Sequence, residues 1–119
     1  MDAVTDQLEK DGWEVFDISM EYLGYDLKAV SGSDELHVEV KGTREDGTGV
    51  LLTPNEVQHA LRHPAQSVLA IVSNIRLSRA GGDWQGEGGN LRFFNRWRPQ
   101  SGTLKALSYE WLPPEPEAE

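Results

Sequence analysis

Cysteine is absent from this 119-residue sequence, so disulfides and thiolate metal sites are excluded and an intracellular, cytoplasmic setting is expected. No apolar run reaches membrane-spanning length, and no basic-then-apolar stretch opens the chain, so neither a membrane span nor a secretory signal is expected. Histidine is scarce, with His37, His59 and His63 the whole set. His59 and His63 are spaced as a helical pair, but Ala60 stands where a zinc-binding helix of that spacing has glutamate. An ordinary exposed helix face is expected there. Basic residues are outnumbered, 11 against 20 acidic ones, for a net charge of −9. Nucleic-acid binding runs on Lys and Arg, so that balance argues against it at first sight.

The acidity is unevenly spread. Residues 1–56 carry 14 acidic and 4 basic side chains, whereas residues 57–112 carry 3 acidic and 7 basic. If nucleic acid is bound, the basic surface is expected to use Arg92, Arg96 and Arg98. The length suits a single domain over residues 1–112. The remainder, residues 113–119, repeats proline and glutamate and is expected to be a disordered acidic tail.

Periodicity and punctuation give the order of elements. Residues 2–11 read as a short amphipathic helix through Val4 and Leu8, stopped by Gly12. Strands are expected at Trp13–Ile18, Tyr25–Val30 and Leu36–Val40, the last two joined as a hairpin by Ser31–Asp34. Gly42–Gly49 is a polar loop and Val50–Leu52 a short strand or lead-in. Thr53-Pro-Asn-Glu56 is a helix start with a capping box, and the helix runs to about Arg62 before Pro64. Val68–Ile75 is the most apolar run and reads as a buried strand. Gly81–Asn90, with five glycines, is expected to be a mobile loop. Two added strands are expected at Leu91–Trp97 and Leu104–Trp111. Helix, three strands, helix, strand, then two more strands imply an α/β (α+β) domain with a mixed central sheet.

Within that frame, Leu36, Val38 and Val40 share one face of the third strand, and His37, Glu39 and Lys41 share the other. Glu39 and Lys41 are poor core residues, so their face must be wet, paired or liganded. With Asp26 on the neighbouring strand, two carboxylates and a lysine converge. A hard divalent cation gripping a phosphate wants such oxygens beside an open position. The bland alternatives are a turn cap for Asp26 and a solvated ion pair for Glu39 and Lys41. Thr53 and Glu56 read as a capping pair, Gln58 as a surface residue one turn into the helix, and Asn74 as a turn residue. Trp84, Trp97 and Trp111, with Phe93, Phe94 and Tyr109, read chiefly as packing residues, although aromatics beside Arg96 and Arg98 could stack bases.

Asp26 followed by Glu39-Val-Lys41 resembles the signature of the restriction-endonuclease-like PD-(D/E)XK superfamily. More narrowly, Gly24-Tyr-Asp-Leu27, Val38-Glu-Val-Lys-Gly-Thr43, Leu52-Thr-Pro-Asn-Glu56 and Val72-Ser-Asn74 resemble the NO VEIN C-terminal-like family, over roughly residues 3–75. The resemblance implies that Asp26, Glu39 and the Val40 carbonyl bind Mg²⁺ or Mn²⁺. It implies that Lys41 orients the attacking water and offsets charge on the phosphate. Apart from the resemblance, Gln58, by its place one turn into the helix, and Arg92, Arg96 and Arg98, as the basic surface, are candidate substrate contacts. Superfamily members often carry a further acid on the first helix, and neither Asp6 nor Glu9 matches that position well.

The expected function is a metal-dependent nuclease acting on DNA in restriction, defence or repair, with no membrane partner. A homodimer or a larger multidomain complex would suit double-strand cutting. The alternative is an inactive nuclease-fold module that works beside a partner protein.

Overall fold

Alternating apolar residues and well-marked turns bring most of the expected elements into one sheet. The structure is a computed structural model describing residues 2–80, 82–87 and 89–116, with only the backbone described at 77–80 and 83–87. The elements are α1 (Asp2–Lys10), β1 (Glu14–Asp17), β2 (Leu27–Ser31), β3 (Asp34–Gly42), α2 (Pro54–Arg62), β4 (Ser67–Ser73), β5 (Arg76–Ala80), β6 (Asp83–Glu87) and β7 (Asn90–Asn95). Short 3-10 turns lie at Ser19–Glu21 and Pro99–Ser101. Among the described residues no helix is long and apolar enough to cross a membrane.

The main sheet has the order β1-β2-β3-β4-β7. It is mixed: β3 and β4 are parallel, joined by the α2 crossover, and the other neighbours are antiparallel. One face is covered by α1, whose Val4 and Leu8 pack with Leu27, Ala29, Val38, Val68, Ala70 and Val72. The other carries a smaller cluster of Ala60, Leu69, Ile71 and Trp97 under α2. Every residue of β4 is buried because it lies between two strands and two layers, which explains its continuous apolar run.

α2 begins as expected. Thr53 Oγ1 accepts from the Glu56 N–H at 3.2 Å, and Glu56 Oε1 accepts from the Thr53 N–H at 2.7 Å. Several expectations are corrected. Gly81–Asn90 is not simply a loop: β6 lies inside it and pairs with β5 as a separate two-stranded sheet, turned at Gly82 with φ +92°. Gly81 and Gly88 fall outside the described residues. Val50–Leu52 forms no strand. Of the two added strands, the first is β7, paired to β4, while Leu104–Trp111 has no secondary structure and pairs with no strand among the described residues. Residues 113–116 are exposed and irregular, and 117–119 lie outside the described residues.

Candidate active site

The parity of the β3–β4 ladder positions the site. The His37 N–H donates to the Gln66 carbonyl and the Thr43 N–H to the Val72 carbonyl, so odd-numbered residues of β3 turn their backbone groups toward β4. Those of Val38 and Val40 turn toward β2. The last β2 pairing is Leu27 with Val38, so β3 runs on past the end of its neighbour. Asp26 fills that gap: its N–H donates to the Val38 carbonyl at 3.0 Å, and its Oδ2 accepts from the Val40 N–H at 2.9 Å. Its carboxylate therefore does structural work at the edge where the Val40 carbonyl also points.

Side chains of His37, Glu39 and Lys41 project to the α2 face, as alternation requires. Glu39 is buried at 4% exposure, and its Oε2 has no hydrogen-bond partner. Burial first, then the adjoining Glu56 and Asp26 carboxylates, push Glu39 up to about 9. Lys41 Nζ sits 3.5 Å from Glu39 Oε1 and donates to both Glu56 oxygens at 2.9 and 3.0 Å. Burial works against the Lys41 charge, but the Glu56 hydrogen bonds and the Glu39 carboxyl hold its pKa above the ordinary value. Burial likewise opposes the Glu56 charge, and is outweighed by hydrogen bonds from Glu39, the Thr53 N–H and Lys41, which hold Glu56 below the usual range.

The expected Asp26, Glu39 and Lys41 are thus brought to one place, and α2 adds Glu56. In the sequence Glu56 is legible only as part of the capping box. Its second role was signalled by the register of α2: Glu56, His59, Ala60 and His63 recur at helical spacing and form the face turned to the sheet.

That face also corrects the expectation for the histidines. They are not an ordinary exposed helix face but are packed in a cluster with Tyr25. The Tyr25 and His37 rings stack at 4.2 Å, and His59 and His63 lie 4.4 Å apart. His37 Nε2 is 2.7 Å from Glu35 Oε2, and His37 Nδ1 is 2.8 Å from His59 Nε2. A carboxylate only accepts, so His37 Nε2 carries hydrogen toward Glu35, and one hydrogen lies between His37 Nδ1 and His59 Nε2. Burial first, then His63 and His37, push His59 down to about 4. The expected signal was in the sequence, since His37 has the parity of Glu39 and Lys41.

The candidate substrate residues do not join this group. Arg92 donates from Nη2 to the Gly47 carbonyl at 2.6 Å, which fixes the Gly42–Gly49 loop over β4 and occupies that guanidinium structurally. Gln58 is exposed on α2. Arg96 and Arg98 are exposed beyond β7, and Arg96 borders a groove with Trp13, Asp34 and Glu35, at the end of β3 away from Lys41. Trp97 is buried under α2 and Trp111 is exposed.

Among the described residues no group of three or more His, Asp or Glu side chains stands ready to hold a metal ion. Asp26 is turned onto the Val40 N–H and Glu56 onto Lys41. The donor set nonetheless fits a hard cation by charge. Three carboxylates adjoin one lysine, with Glu39 buried and Asp26, Glu56 and Lys41 half-buried, and an oxygen of Glu39 is left without a partner. Against known proteins, the family model for Protein NO VEIN, C-terminal, matches residues 1–82. No curated protein and no solved structure matches the chain.

Proposed function

The chain belongs to the NO VEIN C-terminal family, and on that premise we propose that it is a divalent-metal-dependent nuclease hydrolysing phosphodiester bonds in DNA. The restriction-endonuclease-like placement of the fold is part of the same proposal. It is supported by a β2–β3 hairpin followed by the α2 crossover into parallel β4.

One observation carries this reading: Glu39 is buried with an unpartnered oxygen beside two other carboxylates and one lysine. Negative charge in surplus within a low-dielectric patch is costly unless a proton or a cation balances it. Asp26, Glu39 and the Val40 carbonyl would hold Mg²⁺ or Mn²⁺. When bound, such a cation supplies Lewis acidity to the phosphoryl group. Lys41 presents its ammonium beside that position and would orient the attacking water and offset phosphate charge. Glu56 anchors Lys41 from the other side, so the ammonium does not wander on its four-carbon stem. Purified protein with Mg²⁺ or Mn²⁺ should cut DNA, and Asp26→Asn, Glu39→Gln and Lys41→Ala should each abolish cutting. Cutting unchanged in all three would sink the assignment.

A second reading is a non-catalytic interaction module. It is favoured by the self-contained pairing of the patch, in which Glu56 engages Lys41 through both oxygens and Asp26 closes the β3 edge. Calorimetry separates the two. Saturable Mn²⁺ binding that disappears in an Asp26→Asn/Glu39→Gln variant supports the nuclease, and binding no stronger than in that variant supports the module.

A further inference from the structure

Residues 104–112 carry the pattern of a strand but are paired with no strand among the described residues. Leu107, Tyr109 and Trp111 fall on one side of the alternation, and Leu104, Ala106 and Leu112 on the other. All of 103–116 is exposed, with Leu104, Leu107, Tyr109, Trp111 and Leu112 ranging from 55% to 88%. The radius of gyration, 17.5 Å, exceeds the ~13–14 Å of a compact chain of this length, because this arm leaves the body.

The sheet meanwhile offers an open edge. β7 is the last strand of its sheet, and the β3–β4 parity carries through the register, with Leu69, Ile71 and Ser73 bonded across to Phe94, Arg92 and Asn90. Leu91, Phe93 and Asn95 therefore turn their N–H and C=O groups outward. Neither proline nor an acidic residue blocks this edge, and Phe94 is 41% exposed on it.

We propose that residues 104–112 add as a strand to the β7 edge of a second copy of this chain, in reciprocal exchange. Charge selects this pairing. The segment 90–98 holds Arg92, Arg96 and Arg98 and no acid, while 103–119 holds Glu110, Glu115, Glu117 and Glu119 against Lys105 alone. The opposite edge, β1, is only four residues long and carries Glu14 and Asp17, which repel such an arm. The arm's own edge is out of line. After β7 the chain turns inward: Trp97 is buried under α2 with its N–H on the Ser67 carbonyl, and the Pro99–Ser101 turn packs against α2. Backbone bonds along the edge would supply affinity, and the alternating side chains register. Neither the arm nor the β7 edge includes Asp26, Glu39, Val40 or Lys41.

Sedimentation of the full chain over a concentration series should show a dimer that weakens as salt rises. Tyr109→Lys/Trp111→Lys should be monomeric through loss of the arm, and Asn95→Pro through loss of an outward N–H that β4 does not use. Mixing the two variants should restore association, since each keeps the half that the other lacks. Hydrogen exchange should protect Phe93 and Asn95 amides as wild-type concentration rises, which tests the edge even where Asn95→Pro fails to fold. A wild type that stays monomeric, a dimer that survives Tyr109→Lys/Trp111→Lys, or protection independent of concentration would each overturn the proposal.

Discussion

Glu39 and His59 sit on facing elements and respond to pH in opposite senses. Glu39 has an ordinary value of 4.5 and a folded value of about 9. Between those values the folded state holds a proton that the unfolded chain has lost, so stability falls as pH rises, by at most about 1.4 kcal/mol per unit. His59 has an ordinary value of 6.5 and a folded value of about 4, so over that range the unfolded chain holds the extra proton and stability rises with pH. From about 4.5 to 6.5 the two slopes oppose each other, and above 6.5 Glu39 acts alone. The other shifted groups act outside this window: Asp17, Glu35 and Glu56 are lowered, and Tyr25 and Lys41 are raised. Urea titrations in a chelating buffer should therefore find a plateau of greatest stability between about pH 4.5 and 6.5 and a decline from there toward pH 9. Glu39→Gln should flatten that decline, and His59→Gln should start it near pH 4.5. A decline persisting in Glu39→Gln would refute the buried-proton account.

Glu56 invites a second comparison at this scale. Glutamine can serve the capping box but carries no charge for Lys41, whereas alanine loses both functions. Glu56→Ala should cost about 1 kcal/mol more than Glu56→Gln in chemical denaturation. Equal costs would mean that the cap contributes nothing.

Among elements, the close seating of α2 on the β2 lead-in depends on Gly24. Its φ is +95°, and a Cβ there would meet His59 Cβ at 2.8 Å and the Asn55 carbonyl at 3.1 Å. Gly12 has the same φ, +95°, with nothing within 4 Å. Gly12→Ala should thus cost only backbone strain, about 1 kcal/mol, while Gly24→Ala should cost about 2–3 kcal/mol because the Asn55 carbonyl is backbone and cannot swing away. Matched thermal melts test the difference, and equal costs would show that α2 yields freely. The elements that the sequence announced were those with local causes: the alternation of Leu36–Val40, the capping box at Thr53–Glu56, and the apolar run of β4. The β5–β6 hairpin was hidden because the glycines of Gly81–Asn90 read as a loop, whereas Gly82 makes a turn and Gly86 lies inside β6. Leu104–Trp111 was legible as a strand pattern, but a pattern specifies faces and not a partner. The site divides in the same way. Strand alternation brought out Glu39 and Lys41 beside Asp26, whereas the Glu56 contact and the His37–His59 bond depend on how α2 lands on the sheet.

For the molecule as a whole, burial is graded from the centre of the sheet outward, and opening should follow that grade. β4 is buried at all seven residues, lies between β3 and β7, and is covered by α1 on one face and α2 on the other. Its amides can exchange only when the sheet itself opens, so they should report the global unfolding free energy. β1 is a four-residue edge strand with three of its residues exposed, so it can fray without disturbing β3. β5 and β6 form a sheet of two strands that joins no other strand, and an isolated two-stranded hairpin is marginal in water. Native-state hydrogen exchange should rank β4 slowest, then β3, then β1, with β5 and β6 fastest by several orders of magnitude. If the β5–β6 amides exchanged as slowly as those of β4, the hairpin would have to be packed into the same cooperative unit, and the separation of the two sheets would be wrong.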